Sequence, residues 1–171
     1  MILSIIAAVA QNGAIGYKNK LLYRLKGDMK RFKELTTNHT IIMGKNTFLS
    51  LPKGALPNRR NIVLTRKDEH FEGCETFHSI DEALDACKTE NEVFIIGGAM
   101  LYSMAIDKAD KLYITEVYDT PKDADAFFPN IGIEWEVKFA EIHGKDENND
   151  ADYAFVNYEK IREDKQDYAS A

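Results

Sequence analysis

The sequence predicts an α/β domain built on a mixed, mostly parallel sheet with helices on both faces. Two observations carry this. Short β-branched apolar runs alternate with helical patterns along most of the chain, the mark of parallel strands joined by crossover helices. After Asn130 the style changes to two alternating segments flanking an acidic turn, which read as an antiparallel pair closing one edge.

Strands are expected over residues 2–9, 40–43, 61–65, 92–96 and 112–117, with helices over about 27–37, 45–51, 80–88 and 99–106. The apolar opening from Met1 to Ala10 ends in Ala8-Val9-Ala10, which imitates a secretory cleavage site. No cationic region precedes it, and it falls well short of the roughly 20 residues that cross a bilayer, so a buried strand explains it better. The helix near 27–37 is expected to bury Leu25, Met29, Phe32 and Leu35. The helix at 80–88 starts with a capping box, Ser79 and Glu82, and carries Ile80, Ala83, Leu84 and Cys87 on one stripe. The closing pair covers 135–142 and 153–161 across the turn at 144–150. No repeat or flexible linker divides the chain, so one domain is expected over 1–163, followed by a polar tail at 164–171.

At 171 residues, 44% hydrophobic and 29% charged, the chain suits one soluble domain rather than a disordered or membrane-embedded class. Its net charge of −6 opposes a sequence-independent grip on nucleic acid, which needs a broad basic face. Cys74 and Cys87 form neither a disulfide framework nor a zinc set and read as small apolar fillers, which fits a reducing cytoplasm. No metal, membrane or nucleic-acid partner is expected.

Two junctions carry the first chemical signal. In Ile41-Ile42-Met43-Gly44-Lys45-Asn46-Thr47 and in Phe94-Ile95-Ile96-Gly97-Gly98-Ala99-Met100, a buried strand runs through glycine into a helix start. Such places let a backbone approach a ligand and offer free amides to an anion, so two of them suit a dinucleotide. Each alone is equally well a tight turn. A P-loop is disfavoured, since its first glycine would fall on His39, and the Rossmann fingerprint spacing is missing. The strand near 61–64 ends in Thr65-Arg66 instead of an acid. With Lys45, that arginine would pair with a ribose 2′-phosphate and favour NADPH over NADH, although either cation could be solvated surface.

The second signal is Asp28, an acid at the edge of an apolar helix stripe one turn before Phe32. It either caps the helix or pairs in two-pronged fashion with a cationic or amidine-like heterocycle lying against Phe32.

Up to about Ile161 the chain resembles the dihydrofolate reductases, motif by motif and in order. Ile6-Ala7-Ala8, Asn12-Gly13-Ala14-Ile15-Gly16 and Asn19-Lys20-Leu21-Leu22-Tyr23 look like the first strand and the loop that closes over the nicotinamide. Leu25 to Phe32 with Asp28 matches the substrate helix. Ile42 to Phe48, Leu56-Pro57-Asn58-Arg59-Arg60-Asn61, Ile96-Gly97-Gly98-Ala99, Tyr102, Lys111 to Thr115, and Asp125 with Phe128-Pro129 complete the set.

The resemblance implies an eight-stranded sheet and an NADPH-dependent oxidoreductase that reduces 7,8-dihydrofolate for one-carbon metabolism. By the same likeness Asp28 would bind the pterin, with Thr115 supporting through a water and Tyr23 near the point where water enters. Ile6, Ala7, Phe32, Ser50, Leu56 and Ile96 would line the substrate cleft, and Arg59 would hold the tail's α-carboxylate. NADPH would contact Ala8, Ile15, Gly16, Asn19, Lys20, Gly44, Lys45, Asn46, Thr47, Leu64, Thr65, Arg66 and His78. Gly97, Gly98, Ala99, Met100, Leu101 and Tyr102 would complete its site. Folates and antifolates are the implied ligands, and a cytoplasmic monomer the implied form. Tyr23 stands where the family commonly has tryptophan, while Leu22 and Lys26 replace common prolines, implying a less stiff closing loop. The segment 51–56 is one residue longer than in the shortest relatives, which weakens a match of Lys53 to a tail-binding arginine, and Ala126 stands where a polar residue is frequent. A related reductase acting on a ribosylated pyrimidine would lack the set Asp28, Phe32 and Arg59. A non-catalytic folate or nucleotide binder would not oxidise NADPH.

Overall fold

A computed structural model describes residues 1–162. The chain opens with β1 (Ile2–Ala10), then a hairpin of β2 (Ala14–Tyr17) and β3 (Lys20–Leu21). There follow α1 (Lys26–Thr36), β4 (Thr40–Gly44), α2 (Lys45–Leu49), β5 (Arg60–Leu64), β6 (Cys74–Phe77) and α3 (Ile80–Ala86). Next come β7 (Glu92–Gly97), α4 (Ala99–Ala105), β8 (Lys111–Val117), β9 (Ala126–Phe127), β10 (Trp135–His143) and β11 (Tyr153–Lys160).

Eight strands form the main sheet in the order β10-β11-β8-β1-β7-β4-β5-β6. From β8 to β6 every neighbouring pair is parallel, while β11 lies antiparallel between β8 and β10. The parallel strands are apolar at consecutive positions because both faces are covered. Leu3, Ile5, Ile42, Val93 and Ile95 pack with Ile80 and Ala83 of α3 and Leu101 and Ala105 of α4. Their neighbours Ile6, Ile41, Met43 and Phe94 point the other way, toward Phe32 and Leu35 of α1 and Phe48 of α2. Each such side chain, fully buried, contributes about 1.5–3 kcal/mol.

The expected helices and strands are all present, with ends displaced by a residue or two, as fraying termini allow. The capping box is half realised. Ser79 Oγ accepts from Glu82 N at 3.1 Å, but the Glu82 carboxylate reaches His78 N rather than the cap residue's own amide. Met29 contradicts its expected burial, being 62% exposed. The inward stripe of α1 runs through Asp28, Phe32 and Leu35, so the acid takes the place assigned to the methionine. Strand β6 and the small sheet β3-β2-β9 were not expected. The β2–β3 turn puts Lys18 and Asn19 at φ 49° and 62°, the paired left-handed conformation of a two-residue type I′ hairpin. Asp125 anchors it, accepting from Lys18 N at 3.0 Å and donating its own amide to Gly16 O at 3.1 Å. The tail at 164–171 lies outside the described residues. No described helix is long and apolar enough to cross a membrane, and no metal-binding cluster occurs among the described residues.

Candidate active site

The crossover from β1 leads to β4 on one side, and the crossover from β7 leads back past β1 to β8 on the other. In open α/β sheets the crevice outside the carboxyl ends of the strands at such a point receives ligands. Here it is a cleft of about 710 Å³, within the usual range for a small-molecule site. Strand β1 and the hairpin supply Ala7, Ala8, Ile15, Gly16, Asn19, Lys20 and Leu21, and the first junction supplies Gly44, Lys45, Asn46, Thr47 and Ser50. Leu64, Thr65, Arg66, Lys67 and His78 come from β5 and the segments beyond β5 and β6, while residues 97–102 come from the second junction. Every cofactor position expected from sequence is therefore brought to one cavity. Leu21, Lys67, Met104 and Asp125 also line it and were missed. Leu21, Met100 and Met104 are exposed apolar side chains, so the cleft accounts for surface that would otherwise lack a purpose.

The two glycine junctions meet, since Met43 and Gly97 are partners across β4 and β7. Gly97 has φ +140°, and a Cβ there would stand 3.1 Å from Thr47 Oγ1, so only glycine fits without strain. The Tyr102 hydroxyl lies 2.9 Å from Ile6 O and 2.8 Å from Ile96 O, bracing the two strands beneath the cleft. Bare backbone at the junctions, apolar walls, a cationic patch of Lys45, Arg66 and Lys67, and the His78 imidazole together suit a dinucleotide phosphate ester.

Of the positions expected to bind substrate, Ala7, Ser50 and Ile96 line the cleft and the others adjoin it. Ile6, Phe32, Leu56 and Ile96 belong to one apolar cluster. Asp28 sits on the same inward face of α1. It makes no cap bond, for the N-cap is Leu25 and the first-turn amide of Gly27 is met by Asn149 Oδ1 instead. Its Oδ1 instead accepts directly from Thr115 Oγ1 of β8 at 2.5 Å. Burial pushes the Asp28 carboxyl above its ordinary value, while the Thr115 bond and the nearby Arg31 charge pull it back. Arg31 was not expected. Its guanidinium lies 4.3 Å from the Phe155 ring centre and bonds the Asn157 side-chain oxygen. The Tyr23 hydroxyl donates to Asp119 Oδ2 at 2.8 Å.

The start of α1 is set by the turn before β11. Gly27 N donates to Asn149 Oδ1 at 3.2 Å, and Lys26 N donates to Asn148 O at 3.2 Å. A Cβ at Gly27 would stand 2.1 Å from Tyr153 Oη and 3.2 Å from its ring carbon. Tyr153 is buried and stacked on His143, so it cannot retreat cheaply. Gly27→Ala is expected to destabilise by about 1–3 kcal/mol, as overpacking does, and to displace Asp28 with it. Urea unfolding measures this, and a midpoint equal to wild type would show that Tyr153 swings aside.

Arg59 is oriented by Pro57 O at 2.9 Å and Thr36 Oγ1 at 3.2 Å. The buried Asn61 amide fastens its loop, bonding Leu56 N, Leu56 O and Arg59 O.

Comparison with known proteins decides the family. The dihydrofolate reductase family model matches residues 2–160. The chain belongs to the dihydrofolate reductase family. It is similar to the dihydrofolate reductase of Bacillus subtilis (strain 168), 41% identical over 160 residues that span 92% of this chain and 94% of the relative. The Staphylococcus aureus enzyme is 42% identical over 161 residues, 92% of this chain and 97% of the relative. Among solved structures, dihydrofolate reductase from Enterococcus faecalis complexed with NADP(H) and RAB-propyl matches with a TM-score of 0.88 and 34% identity. That match covers 94% of this chain and 97% of the other. The pyrimidine-reductase alternative is set aside, and the eight-stranded fold is that of the family.

Proposed function

We propose that the cleft reduces 7,8-dihydrofolate to 5,6,7,8-tetrahydrofolate at the expense of NADPH, with Asp28 as the group that binds and polarises the pterin. The chain's family membership gives the reaction. The observation that carries the site reading is the placement of Asp28, an acid on the inward face of α1, bonded to Thr115, where the apolar cluster of Ile6, Phe32 and Ile96 adjoins the cleft.

When bound, NADPH supplies the hydride that reduces the pterin's imine carbon. The protein supplies position and charge. Asp28 offers two carboxylate oxygens to the pterin's amino group and ring nitrogen as a charge-assisted pair. Its negative charge makes the imine nitrogen more basic, so that water can protonate it. Thr115 and Arg31 favour the ionised carboxylate and offset part of the cost of its burial. Phe32, Ile6 and Ile96 exclude bulk water, which strengthens that electrostatic effect. The same acid suits amidine-bearing antifolates.

The cofactor's adenosine end falls to Lys45, Thr65, Arg66 and His78. Arg66→Ala should weaken NADPH by roughly ten- to a hundredfold and leave NADH nearly unchanged, the scale of one charge-assisted pair. Equal losses for both cofactors, measured by calorimetric titration, would remove Arg66 from the 2′-phosphate site.

The deciding assay follows absorbance as NADPH and dihydrofolate are mixed with the protein. Oxidation that requires both compounds supports reduction. Tight binding of either without oxidation supports a non-catalytic binder. The protein acts as a cytoplasmic monomer in this reading, and sedimentation at working concentration tests the monomer.

A further inference from the structure

Lys45, expected to meet the 2′-phosphate, and Thr65, expected to contact NADPH beside it, are held by one carboxylate of the protein itself. Lys45 Nζ donates to Glu69 Oε1 at 2.6 Å, and Thr65 Oγ1 donates to Glu69 Oε2 at 2.7 Å. Both donors line the cleft; Glu69 does not. The backbone at Glu69 is tied down, with its carbonyl accepting from Thr76 Oγ1 of β6 at 3.3 Å. The residue before it repeats the pattern, since Asp68 Oδ1 stands 3.4 Å from His78 Nε2. Thus the segment after β5 sets two adjacent acids against ammonium, hydroxyl and imidazole groups that would otherwise face a ligand's anion.

We infer that Glu69 is a specificity-determining residue that competes with the cofactor's 2′-phosphate for Lys45 and Thr65, lowering the preference for NADPH over NADH. This rests on the proposed NADPH site. The chemistry needs no rearrangement of the fold. A phosphate dianion must either take donors from a carboxylate or share them with it at close range, and both cost affinity. Lys45 and Thr65 also hold the Glu69 carboxyl below its ordinary value, so it is charged where the phosphate is a dianion. A nicotinamide cofactor with a free 2′-hydroxyl carries no charge there and does not meet this competition.

The test is calorimetric titration of wild type, Glu69→Gln, Glu69→Ala, Lys45→Met and the Lys45→Met/Glu69→Gln double variant with NADPH and with NADH, at one ionic strength. Removing the acid should tighten NADPH by about three- to tenfold, the range for freeing an exposed ion pair and removing a like charge. NADH should stay within about twofold. In the Lys45→Met background the gain should shrink, because the contested donor is gone. An unchanged or weaker NADPH affinity in both Glu69 variants would overturn the inference and show that Glu69 merely orients Lys45. Equal tightening of both cofactors would overturn it too, by pointing to the loop rather than the phosphate. Failure of wild type to bind NADPH at all would instead sink the underlying site reading.

Discussion

Asp28→Asn should fold, retain NADPH and lose turnover by roughly a hundredfold or more at neutral pH, the scale of a positioned acid-base group. Asparagine can still accept from Thr115 Oγ1, so the local geometry survives while the negative charge does not. In acid, where solvent protonates more of the substrate unaided, the variant should regain part of its rate. Stability should move differently. Burial raises the Asp28 carboxyl in the folded state, so its contribution is complete below the unfolded-state pKa and declines as pH rises through the folded one. Asparagine has no such decline. The variant should therefore melt at or above wild type near neutrality, an advantage that fades in acid. A helix cap would instead lose about 0.5–2 kcal/mol with turnover intact, and that pair of results, from melting curves and pH profiles on one preparation, would sink the catalytic assignment.

Arg59→Ala should raise the Michaelis constant for dihydrofolate by roughly ten- to a hundredfold and spare a pterin lacking the carboxylated tail. The two acceptors that hold Arg59, Pro57 O and Thr36 Oγ1, are neutral oxygens, and burial draws the guanidinium below its ordinary value. Such a group gains from an incoming anion. Steady-state kinetics with both substrates measures the split, and equal losses would make Arg59 a loop fastener like Asn61.

The central strands were legible because burial on both faces leaves continuous apolar runs such as Ile41-Ile42-Met43, which no solvent-facing segment would carry. The two junctions were legible because glycine followed by a helix start is a local pattern. Strand β9, with two residues, and the β2–β3 hairpin carry too few positions for a period to emerge, and the left-handed Lys18 conceals the turn. Met29 was misplaced because an apolar residue outranks an acid in any stripe drawn from hydropathy, and this site inverts that preference. Arg31, Asn149 and Glu69 gave no signal, since their partners lie far along the chain or in an irregular loop, where a polar residue reads as ordinary surface.

The position of β11 between β8 and β10 also has a consequence for how the molecule comes into being on the ribosome. All residues lining the cleft lie between Ala7 and Ala126, so that cavity can close while the end of the chain is still being made. The acid cannot be finished then. Gly27 waits for Asn149 and Arg31 for Asn157, contacts separated by 122 and 126 residues, among the longest loops in the fold. A nascent chain arrested before residue 149 would thus own its cofactor pocket yet lack the settled carboxylate, and the power to reduce would arrive last in synthesis.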